Sequence, residues 1–428
     1  MFSQRAHFPT AENALTQAVA ARRAHGLPVL DLTASNPTHA ELALPQSAIR
    51  AALAAGLDGA YDPDPLGLFR ARQAVAAHVV QLQRRGQTGL PPVPPEHILL
   101  TASTSEAYAL LLTLLCDPGD RVLVPQPSYP LFAFLGQLHD VEMAPWPSRY
   151  ADGWHIDRAA LQAAITAKTR AILAVSPNNP TGAVLTWAEL ELLAGLCRDN
   201  DLALIVDEVF ADTLRPPLGD GVATVAGLPG CLTFALGGLS KTCLLPQVKL
   251  AWTLVSGPPQ LVAHALEQLE TMADTYLSVA TPIQRALPGL LDLAPMIQTV
   301  LRERLDGNLR FLQHEVGGTA LAVLPVAGGW TAVLRLPLPP DERDWSLYLL
   351  ETIGVLTHPG WFFDLDGEGW LVVSLLVAPD AFRAGVRALV HAVAEVPERA
   401  PVLGGVPSQQ HARGPAEHAL VAHADEDP

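Results

Sequence analysis

Three lysines, at positions 168, 241 and 249, stand against 24 arginines in this chain, and two of them lie eight residues apart in Gly237-Gly238-Leu239-Ser240-Lys241-Thr242-Cys243-Leu244-Leu245-Pro246-Gln247-Val248-Lys249. A primary amine loses its proton when desolvated and condenses with an aldehyde to an imine, which a guanidinium cannot do. The scarcity of lysine has two readings: a residue of compositional bias, or an amine retained for its chemistry. Neighbouring motifs weigh between them.

In Thr101-Ala102-Ser103-Thr104-Ser105-Glu106, the Ser103–Glu106 spacing fits a capping box. Such a helix start also offers N–H groups to an anion; taken alone it is an ordinary cap. Pro125-Gln126-Pro127-Ser128-Tyr129-Pro130 places Tyr129 just past a predicted strand, either to stack on a flat ring or to pack in a loop. Ser176-Pro177-Asn178-Asn179-Pro180-Thr181-Gly182 holds an amide between two prolines that restrict the backbone. Asp207 closes the run Ala203-Leu204-Ile205-Val206. A carboxylate ending a buried strand needs a partner, so it either faces a cation or caps the next turn.

These residues need a scaffold, and the hydrophobic pattern supplies one. Apolar runs at 97–101, 121–125, 171–176, 203–206, 233–236 and 250–255 alternate with helical periods at 106–116, 131–138, 161–167 and 187–200. Alternation of this kind predicts an α/β fold, a mostly parallel sheet flanked by helices, with ligands at the carboxyl ends of its strands. An arm over 1–45 precedes this large domain, 46–280. After Pro258 come helical stretches at 260–273 and 295–315, and a smaller α+β C-terminal domain spans 281–398, sharing part of the arm. Residues 399–428 read as a flexible tail. A hydrophobic content of 49% suits a globular enzyme, and a formal net charge of −16 argues against nucleic acid or an anionic membrane as partner. No signal-peptide pattern opens the chain and no apolar run is long enough for a membrane span, so the expected location is cytoplasmic. Cys116, Cys197, Cys231 and Cys243 are scattered, without metal-ligand spacing.

In combination and order, these motifs resemble the class I/II aminotransferases, fold-type I pyridoxal-phosphate enzymes, from about Leu30 to Leu389. The resemblance implies that Lys241 forms a Schiff base with pyridoxal 5'-phosphate and that Asp207 pairs with the pyridine nitrogen. It implies that Asn179 bonds the phenolic oxygen, that Tyr129 stacks on the ring, and that Ser103, Thr104 and Ser240 lie at the phosphate. Tyr61, in Tyr61-Asp62-Pro63-Asp64-Pro65, resembles the tyrosine that reaches the neighbouring subunit's phosphate, which implies a homodimer with shared sites. The implied reaction is a ping-pong transfer of an amino group between an amino acid and a 2-oxo acid, with Lys241 moving the proton.

The sequence departs from the family at several positions. Lys249 stands where an arginine usually meets the phosphate, Phe210 where a tyrosine commonly donates to the phenolic oxygen, and Gly238 where a phosphate-binding serine is common. Val372 aligns with the arginine that usually pairs with the substrate carboxylate; Arg335 is a candidate substitute. The missing carboxylate arginine keeps a pyridoxal-phosphate lyase or decarboxylase open as an alternative; a non-catalytic sensor built on the same fold is a more distant one.

Overall fold

The computed structural model describes residues 1–8, 11–57, 59–337 and 344–395; the tail expected over 399–428 lies outside the described residues. Eight strands form the central sheet, in the spatial order Ile98–Thr101, Ala251–Ser256, Thr233–Gly238, Ala203–Asp207, Thr169–Val175, Arg121–Gln126, Glu142–Tyr150 and Trp154–Ile156. The consecutive pairs from Thr233–Gly238 through Glu142–Tyr150 are parallel. Ala251–Ser256 runs antiparallel between its two neighbours, and Trp154–Ile156 closes a hairpin at the far edge.

Side chains of the inner strands alternate between two buried layers, as the two-residue period of a strand covered on both faces requires. Ala171, Leu173, Ile205, Phe234 and Leu236 pack with helices Thr104–Leu115, Leu131–His139 and Pro259–Tyr276. Ile172, Leu204, Val206 and Ala235 pack with helices Phe69–Gly86, Trp187–Asp199 and Thr281–Val316. The strands expected from the apolar runs all form, each within two residues of its expected bounds. Glu142–Tyr150 was not expected: its exposure alternates and it carries Pro145 and Pro147, both of which obscure a strand signal.

A 36-residue helix, Thr281–Val316, leaves the central layer with Pro288 and Pro295 inside it. The sequence placed its start at Pro295, because an interior proline costs a helix about 3 kcal/mol. Burial of Ile283, Leu287, Leu290 and Leu291 in the preceding turns offsets that cost, at roughly 1.5–3 kcal/mol for each large apolar side chain. Beyond it, a four-stranded antiparallel sheet runs in the order Ala322–Val323, Thr331–Arg335, Trp370–Ser374, His358–Pro359. The arm joins this region: Leu30–Asp31 pairs in parallel with Val355–Leu356, and Leu15 and Val19 of helix Ala14–Ala24 pack on Leu350 and Leu356.

Candidate active site

Three adjacent strand ends set the site. Val175 pairs with Asp207, and Asp207 with Leu236, so the segments leaving these strands emerge side by side. Asn179 lies four residues past Val175, Asp207 is itself a strand's last residue, and Lys241 follows Gly238 by three. Sheet register thus gathers residues spread over 62 positions of sequence at the carboxyl edge of the sheet, where the fold class predicts ligands.

Asp207 performs both of its candidate tasks. Its Oδ1 accepts the Val209 N–H at 3.0 Å, capping the turn, and its Oδ2 accepts the Tyr108 hydroxyl at 2.7 Å. Burial raises its pKa above the ordinary carboxylate value, opposed by those two bonds and by the Lys241 charge. Lys241 sits in a one-turn helix, Leu239–Thr242, with Nζ 4.3 Å from the Trp330 ring centroid and 5.6 Å from that of Phe210. Burial pulls its pKa from 10.5 down to about 8, and Asp207 acts in the opposite direction. An amine of this kind is partly deprotonated near neutrality, which a nucleophilic lysine requires. Glu208, next to Asp207, is pushed up to about 7 by burial, while its oxygens accept from Thr224 Oγ1 and the Val225 N–H, each at 2.6 Å.

The Asn179 side-chain oxygen is buried with no partner among the described residues, so it is free to accept from a bound group. The loop carrying Tyr129 is fastened beside it: Asn178 Nδ2 donates to the Pro127 carbonyl at 3.3 Å, and the Ser128 N–H donates to the Phe363 carbonyl at 3.0 Å. Tyr129 is edge-on to Phe362 at 6.5 Å, and burial raises its pKa. Ser103 caps helix Thr104–Leu115, accepting the Glu106 N–H at 3.2 Å, while the Glu106 carboxylate turns to the Ala102 N–H. Only half of the expected box forms. That helix places Tyr108 one turn past Thr104, so the Ser103–Thr104 start and Asp207 belong to one assembly.

Residues 28–389 match the family described as Aminotransferase class I and II. The chain belongs to this family. It is 28% identical over 310 residues to the alanine aminotransferase of Mycobacterium tuberculosis, covering 72% of this chain and 70% of that one. It is 28% identical over 361 residues to nicotianamine aminotransferase A of Hordeum vulgare, covering 80% and 74%. In fold it resembles alanine aminotransferase from Pyrococcus furiosus, with a TM-score of 0.79, 22% identity and coverage of 92% and 99%.

The other residues that the sequence singles out stand in more varied settings. Lys249 is exposed, in a left-handed backbone conformation at φ 53°. Tyr61 is 71% exposed and shares a groove with Tyr276 and Leu277. Gly238 pairs against Ala251, and a Cβ there would stand 3.1 Å from the Ala251 Cβ, so a serine would crowd that strand. Val372 is fully buried in an apolar cluster with Phe362 and Phe363. Arg335 stacks on Trp370 at 4.2 Å and donates to the Glu368 carbonyl. Sequence reasoning missed Tyr108 and Trp330. Tyr108 could have been found as the polar residue one turn into a helix that starts at the ligand edge; Trp330 gave no local signal.

Proposed function

We propose that this aminotransferase moves an amino group between an amino acid and a 2-oxo acid, holding pyridoxal 5'-phosphate through Lys241. The observation that carries the reading is the buried Lys241 amine with the Asp207 carboxylate as its counter-charge at adjoining strand ends. The donor set fits the cofactor: a carboxylate short of positive charge for a pyridinium, an amide for a phenolic oxygen, and a desolvated amine for an aldehyde. When bound, pyridoxal phosphate withdraws electrons from the substrate α-carbon.

The chain's own residues do the rest. Asp207, held by Tyr108, would keep a bound pyridine nitrogen protonated. With the cofactor bound, the Lys241 amine would be the base that moves a proton to and from the substrate α-carbon. Tyr129 would stack on the ring, and Ser103, Thr104, Ser240 and Lys249 would hold the phosphate. Tyr61 reaches the site of a second copy in a cytoplasmic homodimer. The large domain spans 46–280 and the small one 281–398.

The test is the absorption spectrum of purified protein with pyridoxal phosphate, with amino donors then added singly and Lys241→Ala as control. A visible band that needs Lys241 and fades with particular donors is the expected result; alanine and glutamate are tried first. Absence of that band, or release of ammonia or carbon dioxide in place of a 2-oxo acid, would overturn the reading.

A further inference from the structure

A single turn of helix is a poor platform for a reacting amine. Leu239–Thr242 has only four residues, and the last carbonyls of a helix have no partner within it. The Leu239 carbonyl accepts the N–H groups of Cys243 and Leu245, at 3.0 and 3.1 Å. The Lys241 and Thr242 carbonyls are held from outside, by one side chain. Gln298, on the long helix Thr281–Val316, donates through Nε2 to Lys241 O at 3.0 Å and to Thr242 O at 2.7 Å. Gln298 is 1% exposed, and its own Oε1 is buried without a partner. A buried amide left half-satisfied carries a cost, and no part of the cofactor chemistry above uses it.

Other contacts close on the same turn. The Cys243 thiol donates to the Leu290 carbonyl of the long helix at 3.4 Å. Asp212, a buried carboxylate whose pKa Thr242 helps to lower, lies 3.1 Å from His78 Nε2 and 3.8 Å from Arg85. Thr213 Oγ1 accepts the Gly329 N–H at 2.7 Å, which fixes the residue before Trp330, the ring against the lysine amine. Among these, only the Gln298 bonds seize the lysine's own backbone.

We infer that Gln298 is a positioning residue that caps the Lys241 turn from the long helix and so sets where the Lys241 amine stands between Trp330 and Asp207. This rests on the reading of Lys241 as the reacting amine, but it can be tested without cofactor. Protein grown on lysine labelled with ¹³C at Cε gives three side-chain signals, one of which disappears in Lys241→Ala. Following that signal against pH titrates Lys241 directly; Asp207 is the charged group acting on it.

Gln298→Met is compared with Asn308→Leu. Asn308 is the matched control: 3% exposed on the same helix, it donates to the Leu375 and Val377 carbonyls at 2.9 and 2.8 Å, far in sequence from the lysine. Both variants should lower Tm. Only Gln298→Met should move the Lys241 titration toward the ordinary lysine value, by a factor of ten or more in the protonation equilibrium, and in the holoenzyme lower kcat at least tenfold with KM changed less than threefold. Should that variant not fold, Gln298→Asn, whose amide is drawn back by one methylene, is read the same way. An unmoved Lys241 titration in the Gln298 variant, or an equal shift in Asn308→Leu, would overturn the inference. A wild-type protein lacking a Lys241-dependent visible band would instead sink the cofactor reading and leave the positioning result intact.

Discussion

The Lys241 amine is buried with one counter-charge nearby, and proton linkage makes that visible in stability. Its folded pKa of about 8 lies below the ordinary 10.5, so between those values the unfolded chain binds the proton and the folded chain does not. Stability therefore rises with pH through that window. The cofactor-free protein should gain resistance to urea from pH 8 toward pH 10, and Lys241→Met should flatten this slope; equal slopes in the two proteins would contradict the burial argument. Tyr108 acts on the other partner. Burial and Asp207 hold its hydroxyl well above the usual tyrosine range, so it remains a donor across the working pH range. Tyr108→Phe leaves Asp207 Oδ2 without its 2.7 Å bond and should cost about 1.5–3 kcal/mol, the range for hydrogen bonds to charged groups. Chemical denaturation checks this, and the same variant should bind pyridoxal phosphate less tightly in an equilibrium titration.

Single bonds between elements hold the site's loops against the small sheet. Thr331 Oγ1, at the start of strand Thr331–Arg335, donates to the Pro180 carbonyl at 2.8 Å, while the Ala327 and Gly328 N–H groups both donate to the Gly182 carbonyl at 3.0 Å. Thr331→Val keeps the shape and removes one bond, so a stability loss of about 1 kcal/mol is expected. Faster cofactor loss on dilution should accompany it, because Asn179 precedes the anchored Pro180; an unchanged off-rate would show that the loop holds itself. The difference between this contact and the strands explains what could be read from the sequence. Strands such as Ala203–Asp207 announce themselves locally, through apolar runs ended by a polar residue, and Asn179, Asp207 and Lys241 could be placed because each sits at or just after such an end. Thr331–Pro180 and Gln298–Lys241 join residues 151 and 57 positions apart, and nothing near either residue announces its partner. Trp330 had no such local signal. Its seat against Lys241 depends on how Gly328 and Gly329 dock on the Asn178 loop.

At the scale of the whole molecule, one surface groove carries exposed aromatic residues beside the site. Tyr61 and Tyr276 are each 71% exposed and Leu277 37%, and all three line a groove that also reaches Thr101 and Glu106, beside the Ser103 helix start. Exposed aromatic surface next to a ligand edge is expected where a second copy docks. If Tyr61 serves the neighbouring copy, a defect there and a defect at Lys241 fall in different sites of a mixed dimer. Lys241→Ala and Tyr61→Ala proteins, each of low activity alone, would then complement one another on mixing. Random exchange of two symmetric subunits makes half of the dimers mixed, and each mixed dimer has one intact site of two. Activity should therefore recover to about a quarter of wild type after dissociation and reassembly, as symmetry requires of a closed two-fold pair. Recovery that stays at the mean of the two separate variants would mean that Tyr61 acts within its own chain or not at all, and a monomer in sedimentation would remove the shared site altogether.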